Sequence, residues 1–126
     1  MSVIIGLDYG SAKIGIATAD SDLKLALPWG VTAPSDLIDK LKEVSEGQEI
    51  EFVVVGLPLS LSGEDSAQTQ EARDFAVKLE KTSGKKVVLI DERFTTVMAA
   101  KQGKDDAVAA MHLLQSYLDG HGSSSN

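Results

Sequence analysis

The chain has 126 residues, of which 43% are apolar and 25% charged, and this composition fits one globular domain of ordinary size. It contains no cysteine, which excludes disulfides, thiolate metal sites and a cysteine nucleophile. Its net charge is −7, and because non-specific nucleic-acid affinity comes mainly from basic residues, any such contact is expected to be local or to involve metal ions.

The first half of the chain predicts three antiparallel strands and one short helix. Residues 3–8 and 14–19 are β-rich runs joined by a turn-like segment, which is typical of a hairpin. A third strand is predicted from 23 to about 31, after a polar connection. Apolar residues at helical spacing then predict a helix that starts at Ser35 as its N-cap and stops at Gly47.

The second half predicts a strand–helix–strand unit and a final helix. Residues 50–57 contain an unbroken β-branched run, as expected for a strand buried on both faces, and 87–90 show the same pattern. The helix between them, predicted over 64–81, implies a right-handed crossover between two parallel strands. A last helix is predicted over about 105–118.

Together these elements predict an α/β fold of the ribonuclease H-like class. Its five-stranded mixed sheet has three antiparallel strands followed by two parallel ones, flanked by helices. The domain is expected to span 1–119, with 120–126 as a flexible tail. The same core occurs in the lobes of actin-like and sugar-kinase ATPases, so the fold leaves the function open.

Asp8 is an acid inside an otherwise apolar strand, where burial of a carboxylate is unfavourable. Strand alternation places Gly6 and Asp8 on one face and Ile5 and Leu7 on the other. The glycine leaves room beside Asp8 for a ligand or for another stretch of backbone. A strand-end aspartate satisfied by turn amides is the alternative interpretation.

Two further acids are predicted near the same sheet edge. Glu92 follows the last strand, and open α/β sheets place their sites at the carboxyl ends of parallel strands. A solvated loop with a local pair between Glu92 and Arg93 is the alternative. Asp106 falls on the apolar stripe of the final helix with Ala110 and Leu113, although capping of the helix start would also explain an acid there.

The predicted sheet brings Asp8, Glu92 and Asp106 to one edge. Such carboxylates repel one another unless cations are present, and their hard oxygen ligands suit Mg²⁺ or Mn²⁺. Divalent ions held there could activate water and stabilise the leaving oxygen of a phosphodiester. The three residues are therefore candidate metal ligands and catalytic residues for phosphodiester hydrolysis.

Three neighbouring residues are candidates for substrate contacts. Lys13, beside the turn after the first strand, could contact a phosphate, although an exposed turn lysine is the simpler interpretation. Arg93 could hold a phosphate bidentately or orient Glu92. Thr95 could touch substrate or cap a following helix.

Four ordered motifs place the chain close to a known family. They are Asp8-Tyr9-Gly10 with Lys13-Ile14-Gly15-Ile16-Ala17, then Gly56-Leu57-Pro58-Leu59, then Asp91-Glu92-Arg93-Phe94-Thr95-Thr96, and last Asp106-x-x-Ala109-Ala110 with Leu114-Gln115-Ser116-Tyr117-Leu118. Over residues 3–118 the sequence resembles the YqgF family of pre-16S rRNA nucleases, also called RuvX-type Holliday junction resolvases. The resemblance implies an RNase H-like fold, Mg²⁺-dependent nuclease activity and trimming of the 5′ end of the 16S rRNA precursor. It also places the acidic residues at Asp8, Glu92 and Asp106.

The chain departs from the family pattern in two places. The family usually has arginine at the position of Lys13, so bidentate phosphate recognition is lost while the charge is kept. The stretch between Thr96 and Asp106 is shorter than usual and keeps Lys101 and Lys104 as its basic residues. Fewer substrate contacts are expected from that stretch.

The expected partner is nucleic acid, either pre-16S rRNA or branched DNA, and the expected state is a monomer or a homodimer. No basic leader and no long apolar run are present, which indicates a cytoplasmic protein without a membrane partner. Cleavage of Holliday junctions and a non-catalytic RNA-binding role in ribosome assembly are the alternatives. An actin-like ATPase is disfavoured, because such enzymes close two lobes around the nucleotide.

Overall fold

The computed structural model describes residues 2–10, 12–57, 67–91 and 106–121. The strands are β1 (Ser2–Asp8), β2 (Ile14–Asp20), β3 (Ala26–Thr32), β4 (Glu49–Leu57) and β5 (Val87–Asp91). The helices are α1 (Leu37–Ser45), α2 (Ala67–Ser83) and α3 (Asp106–His121), and a single 3₁₀ turn, Pro34–Asp36, precedes α1.

The five strands form one mixed sheet in the order β3-β2-β1-β4-β5. β1 pairs antiparallel with β2, and β2 with β3, whereas β1 with β4 and β4 with β5 are parallel. The predicted fold class is therefore confirmed. Because β1, β4 and β5 run in the same direction, their carboxyl ends meet at one edge of the sheet.

The sheet is covered on both faces, and alternate residues of the central strands feed two separate cores. One core packs on the α3 side and comprises Ile4, Ala17, Ala19, Ala26, Val54, Ala110, Leu113, Leu114 and Leu118. The other packs under α1 and α2 and includes Ile5, Leu7, Ile14, Ile16, Leu37, Leu41, Val53, Val55 and Leu79. Within the described ranges, no helix combines the length and apolar character needed to cross a membrane.

The predicted start of β3 at residue 23 is wrong, because the turn before it is longer than expected. The backbone N–H groups of Asp22 and Leu23 donate to Asp20 Oδ1 at 2.8 and 3.1 Å. Lys24 closes the turn by donating to the Asp20 carbonyl at 2.9 Å and has a left-handed backbone with φ of 55°. The strand can therefore begin only at Ala26.

The predicted N-cap of α1 is also wrong. Ser35 lies inside the 3₁₀ turn, and Asp36 is the residue that precedes the helix, without a side-chain capping bond. The helix ends at Ser45, where Glu46 and Gly47 adopt left-handed conformations with φ of 50° and 82°. The predicted stop at Gly47 thus matches the turn that ends the helix.

Two further differences concern β5 and α3. The sequence predicts that β5 is buried on both faces, but among the described strands it lies at the edge of the sheet, and Leu89 is 38% exposed. α3 continues to His121, three residues beyond its predicted end, so Gly120 belongs to the helix. The remaining residues of the predicted tail, 122–126, lie outside the described residues.

Candidate active site at the edge of the sheet

Asp8 is the last residue of β1, the central strand, and only 4% of its surface is exposed. It lies directly opposite Gly15 of β2 in the antiparallel register, so both residues face the same side of the sheet. That side carries α3, since a Cβ at Gly15 would meet the backbone of Asp106. The predicted alternation is confirmed, because Ile5 and Leu7 belong to the core on the other side.

The space beside Asp8 is occupied by another stretch of backbone, one of the two occupants the sequence predicted. A Cβ at Gly6 would lie 2.7 Å from Leu114 Cβ and 3.3 Å from the Ala110 carbonyl oxygen. The Asp106 backbone lies over Gly15 in the same way. The glycines therefore let α3 approach β1 and β2 closely, with its first residue next to the strand position opposite Asp8.

Asp106 is the first residue of α3, and its carboxylate is partly exposed. Its Oδ2 atom forms an ion pair with Lys13 Nζ at 3.1 Å, with the two side chains 25% and 61% exposed, respectively. Lys13 lies two residues before Gly15, so one short segment contacts both the backbone and the side chain of Asp106. The sequence placed Lys13 near the site but did not identify this partner.

Three predicted site residues, Glu92, Arg93 and Thr95, lie outside the described residues. Asp91 is the last residue of β5 and pairs with Leu57 of β4, which places the end of β5 at the same edge as Asp8. In the part of the chain that the structure describes, no group of three His, Asp or Glu side chains is arranged to hold a metal ion. The structure thus brings together Asp8, Asp106 and Lys13, while the role of Glu92 stays a prediction.

The described side chains fit a divalent cation in their chemistry. Asp8 is a buried carboxylate, and Asp106, across Gly15, is a second carboxylate that already attracts the Lys13 ammonium. Carboxylate oxygens are the ligands that Mg²⁺ and Mn²⁺ prefer. A positive charge at this place would offset both the burial of Asp8 and its repulsion from Asp106.

Gly15 is the residue in contact with Asp106 that sequence reasoning missed. The motif that contains Lys13 and Gly15 is visible in the sequence, but the contact of the glycine depends on a helix that begins 91 residues later. The signal that could have found it is the strand pairing, since a hairpin over 3–8 and 14–19 places Gly15 close to Asp8. Only the packing of α3 shows what occupies the space above it.

The opposite face of the sheet carries a groove of about 530 Å³ between α1 and α2. Its apolar lining includes Leu37, Ile38 and Phe75, and the Tyr9 ring packs on Phe75 with ring centroids 4.5 Å apart. The Tyr9 hydroxyl donates to Glu71 Oε1 at 3.5 Å. This groove is separated from Asp8 by the sheet.

Glu71→Gln is expected to lower the pKa of Tyr9 toward its ordinary value. Burial, and then the negative charge and hydrogen bond of Glu71, raise the pKa of Tyr9 above 10.0. Burial still raises the pKa of Tyr9 in the variant, so the pKa moves only part of the way back to its ordinary value. The folded chain therefore holds the phenolic proton of Tyr9 more tightly than the unfolded chain does. This contributes to the free energy of unfolding in full below about pH 10, and the contribution is lost as pH rises through the raised pKa.

The titration is followed by tyrosinate absorbance in a Tyr117→Phe background, which leaves Tyr9 as the sole tyrosine. Asp74→Asn is the matched control, because Asp74 also lines the groove but does not contribute to the shift. Identical Tyr9 titrations with and without Glu71 would contradict the assigned contact.

A family model and two bacterial proteins are similar to this chain over most of its length. A family model described as "RuvX: Holliday junction resolvase" matches residues 2–120. A protein of Maridesulfovibrio salexigens is 31% identical over 130 residues, covering 91% of this chain and 96% of that protein. A protein of Koribacter versatilis is 38% identical over 141 residues, covering 94% of this chain and 88% of that protein. Both are provisionally named pre-16S rRNA nucleases.

A solved structure of RuvC from Thermus thermophilus, in complex with a Holliday junction substrate, has a similar fold. Its TM-score is 0.59 at 15% identity, and the match covers 98% of each chain. A likeness at this identity shows the fold alone. It confirms the RNase H-like class predicted for the sheet.

Proposed function

The chain belongs to the RuvX family, and on this premise we propose that it is a metal-dependent nuclease that processes the precursor of 16S ribosomal RNA in the cytoplasm. One observation carries the chemistry. A buried carboxylate, Asp8, ends the central strand on the face where α3 presents the carboxylate of Asp106. In an α/β sheet this carboxyl edge is where sites form.

We propose that Asp8, Asp106 and Glu92 hold Mg²⁺ or Mn²⁺. Bound ions would activate a water molecule and stabilise the leaving oxygen of the phosphodiester. The sheet supports this use of Asp8, because its position at the end of a buried strand fixes the carboxylate. Glu92 directly follows Asp91, which ends β5 at the same edge.

Lys13 has a second role in this proposal. Its ammonium pairs with Asp106, and a cation bound by the same carboxylate would compete for that contact and let Lys13 contact a substrate phosphate. Arg93 and Thr95 are proposed as further substrate contacts. The net charge of −7 disfavours a broad electrostatic interface, so bound metal and these few groups must supply most of the attraction.

The direct test uses a labelled RNA that carries the 5′ end of the 16S precursor, alongside a four-way DNA junction. Both are incubated with the protein in Mg²⁺, in Mn²⁺ and in a chelator. Metal-dependent cleavage of the RNA at one position is expected, with the junction cut slowly or not at all. An RNA of the same composition in shuffled order is the control for structure-dependent cutting.

The outcomes separate the alternatives. Faster cutting of the junction than of the RNA would favour a resolvase over rRNA processing. Binding of the RNA without cutting of either substrate, by folded protein in every metal, would favour a non-catalytic assembly role. The proposed site uses residues of a single chain, so sedimentation of the active species will distinguish a monomer from a homodimer.

Lys13→Gln is expected to tighten Mn²⁺ binding about fivefold while weakening RNA binding. The ammonium lies 3.1 Å from Asp106 Oδ2 and repels a divalent ion held by the same carboxylate. Two unit charges about 4 Å apart interact by roughly 1 kcal/mol in water, so the repulsion between the ammonium and a divalent ion is about twice this before salt screening. Calorimetric titration with Mn²⁺ measures the change.

The control for this variant is Lys40→Gln, since Lys40 pairs with Glu43 on α1 at 3.4 Å and lies far along the chain from the site. It should leave Mn²⁺ affinity unchanged. Both variants should unfold at nearly the wild-type temperature, because exposed ion pairs contribute little stability. Unchanged Mn²⁺ affinity in Lys13→Gln would show that the pair and the metal do not compete.

A further inference from the structure

We infer that Gly15 is a positioning residue that sets the distance between the carboxylates of Asp8 and Asp106, an inference that rests on the proposed metal-dependent function. Gly15 is buried in β2 directly opposite Asp8. It does not supply a metal ligand. It acts through the helix that carries Asp106.

The contact at Gly15 is made by backbone, and this distinguishes it from ordinary side-chain packing. A Cβ at this position would coincide with the carbonyl group of Asp106 and lie 3.1 Å from Asp106 Cβ. Rotation of a side chain cannot relieve such an overlap, because the obstructing atoms belong to the first residue of α3. Any side chain at Gly15 must therefore move the start of α3 away from β2.

That movement changes the site because Asp8 and Gly15 are a directly opposed pair. Their Cα atoms are separated by about 5 Å, the spacing of such pairs, so Asp106 is held one strand away from Asp8. A ligand set that is displaced in this way binds metal less well, even when the fold survives.

Two other glycines provide matched controls for a glycine-to-alanine change. Gly6 also faces α3, where a Cβ would lie 2.7 Å from Leu114 Cβ, but that contact is eight residues beyond Asp106. Gly30, on β3, has nothing within 4 Å of an added Cβ. Gly15 thus tests a contact with α3 at the site, Gly6 tests a contact farther along the same helix, and Gly30 tests a position without such a contact.

The experiment measures Mn²⁺ affinity by calorimetry and unfolding temperature in chelator for the wild type, Gly15→Ala, Gly6→Ala and Gly30→Ala. Gly15→Ala is expected to bind Mn²⁺ at least about tenfold more weakly. Gly6→Ala is expected to unfold at lower temperature but to bind Mn²⁺ within about twofold of the wild type. Gly30→Ala should match the wild type in affinity and unfold at the same temperature or higher.

A merely structural role for Gly15 would lower the unfolding temperature of Gly15→Ala and Gly6→Ala alike and leave both affinities unchanged, and that result overturns the inference. Absence of Mn²⁺ binding by the wild type is a different failure, because it removes the proposed function itself. If Gly15→Ala does not fold, Mn²⁺ is added to isotope-labelled wild-type protein. Stronger paramagnetic broadening of the Gly15 amide resonance than of Gly30 and Gly47 is then required, and equal broadening overturns the inference.

Discussion

Asp8→Asn is expected to abolish metal-dependent cleavage while the protein stays folded. The amide has nearly the same shape as the carboxylate but carries no charge, so it cannot hold a divalent cation in the same way. Loss of groups that only orient metal ligands costs about 10–100-fold in affinity or activity, so loss of a ligand should cost at least about 100-fold. The cleavage rate at saturating Mg²⁺ measures this effect.

The same variant makes a separate prediction about stability. Asp8 is 4% exposed, and burying a negative charge opposes folding unless a cation is nearby. Adding Mg²⁺ should therefore raise the unfolding temperature of the wild type but not that of Asp8→Asn.

Asp39→Asn is the control for this change, because Asp39 is exposed on α1, on the opposite face of the sheet. It should keep both full activity and the Mg²⁺ response. Cleavage by Asp8→Asn within a few-fold of the wild type would remove Asp8 from the catalytic site. An Mg²⁺ response that persists in the variant would place the cation elsewhere.

The sheet could be predicted from the sequence because its strands have simple patterns. The run Val53-Val54-Val55 indicates a strand buried on both faces, and β4 is such a strand, flanked by β1 and β5. Asp8 was identifiable for the opposite reason, since it is the one acid in an apolar strand. Local pattern therefore located both the centre of the fold and the first residue of the site.

The start of β3 was not predictable from composition, since Leu23 and Leu25 look like strand residues. They are 77% and 60% exposed, because the side chain of Asp20 organises the preceding turn by accepting two backbone hydrogen bonds. Asp and Asn side chains compete with strand pairing in this way. A hydrophobic residue next to such a turn does not by itself extend the strand.

The partners of Gly15 and Lys13 were not predictable either, for a physical reason of another kind. Both contact Asp106, which lies about 90 residues later in the chain. Periodicity gives the buried face of α3 but not how closely its first turn approaches a strand. That distance depends on which strand positions lack a side chain, and so on the assembled sheet.

Leu114→Ala is expected to cause the largest loss of stability of any single truncation at the contact between α3 and the sheet, at about 3–5 kcal/mol. Leu114 is fully buried and packs on Gly6 of the central strand. The cost falls in the upper part of the usual range because the surroundings cannot close the cavity. Gly6 has no side chain to move into it, and β1 is held by β2 and β4 on either side.

Urea unfolding measures this loss, and Leu27→Ala is the matched control because Leu27 is 57% exposed on the edge strand β3. That control should change the free energy of unfolding by no more than about 0.5 kcal/mol. A loss below about 1 kcal/mol in Leu114→Ala would mean that α3 does not pack closely on β1.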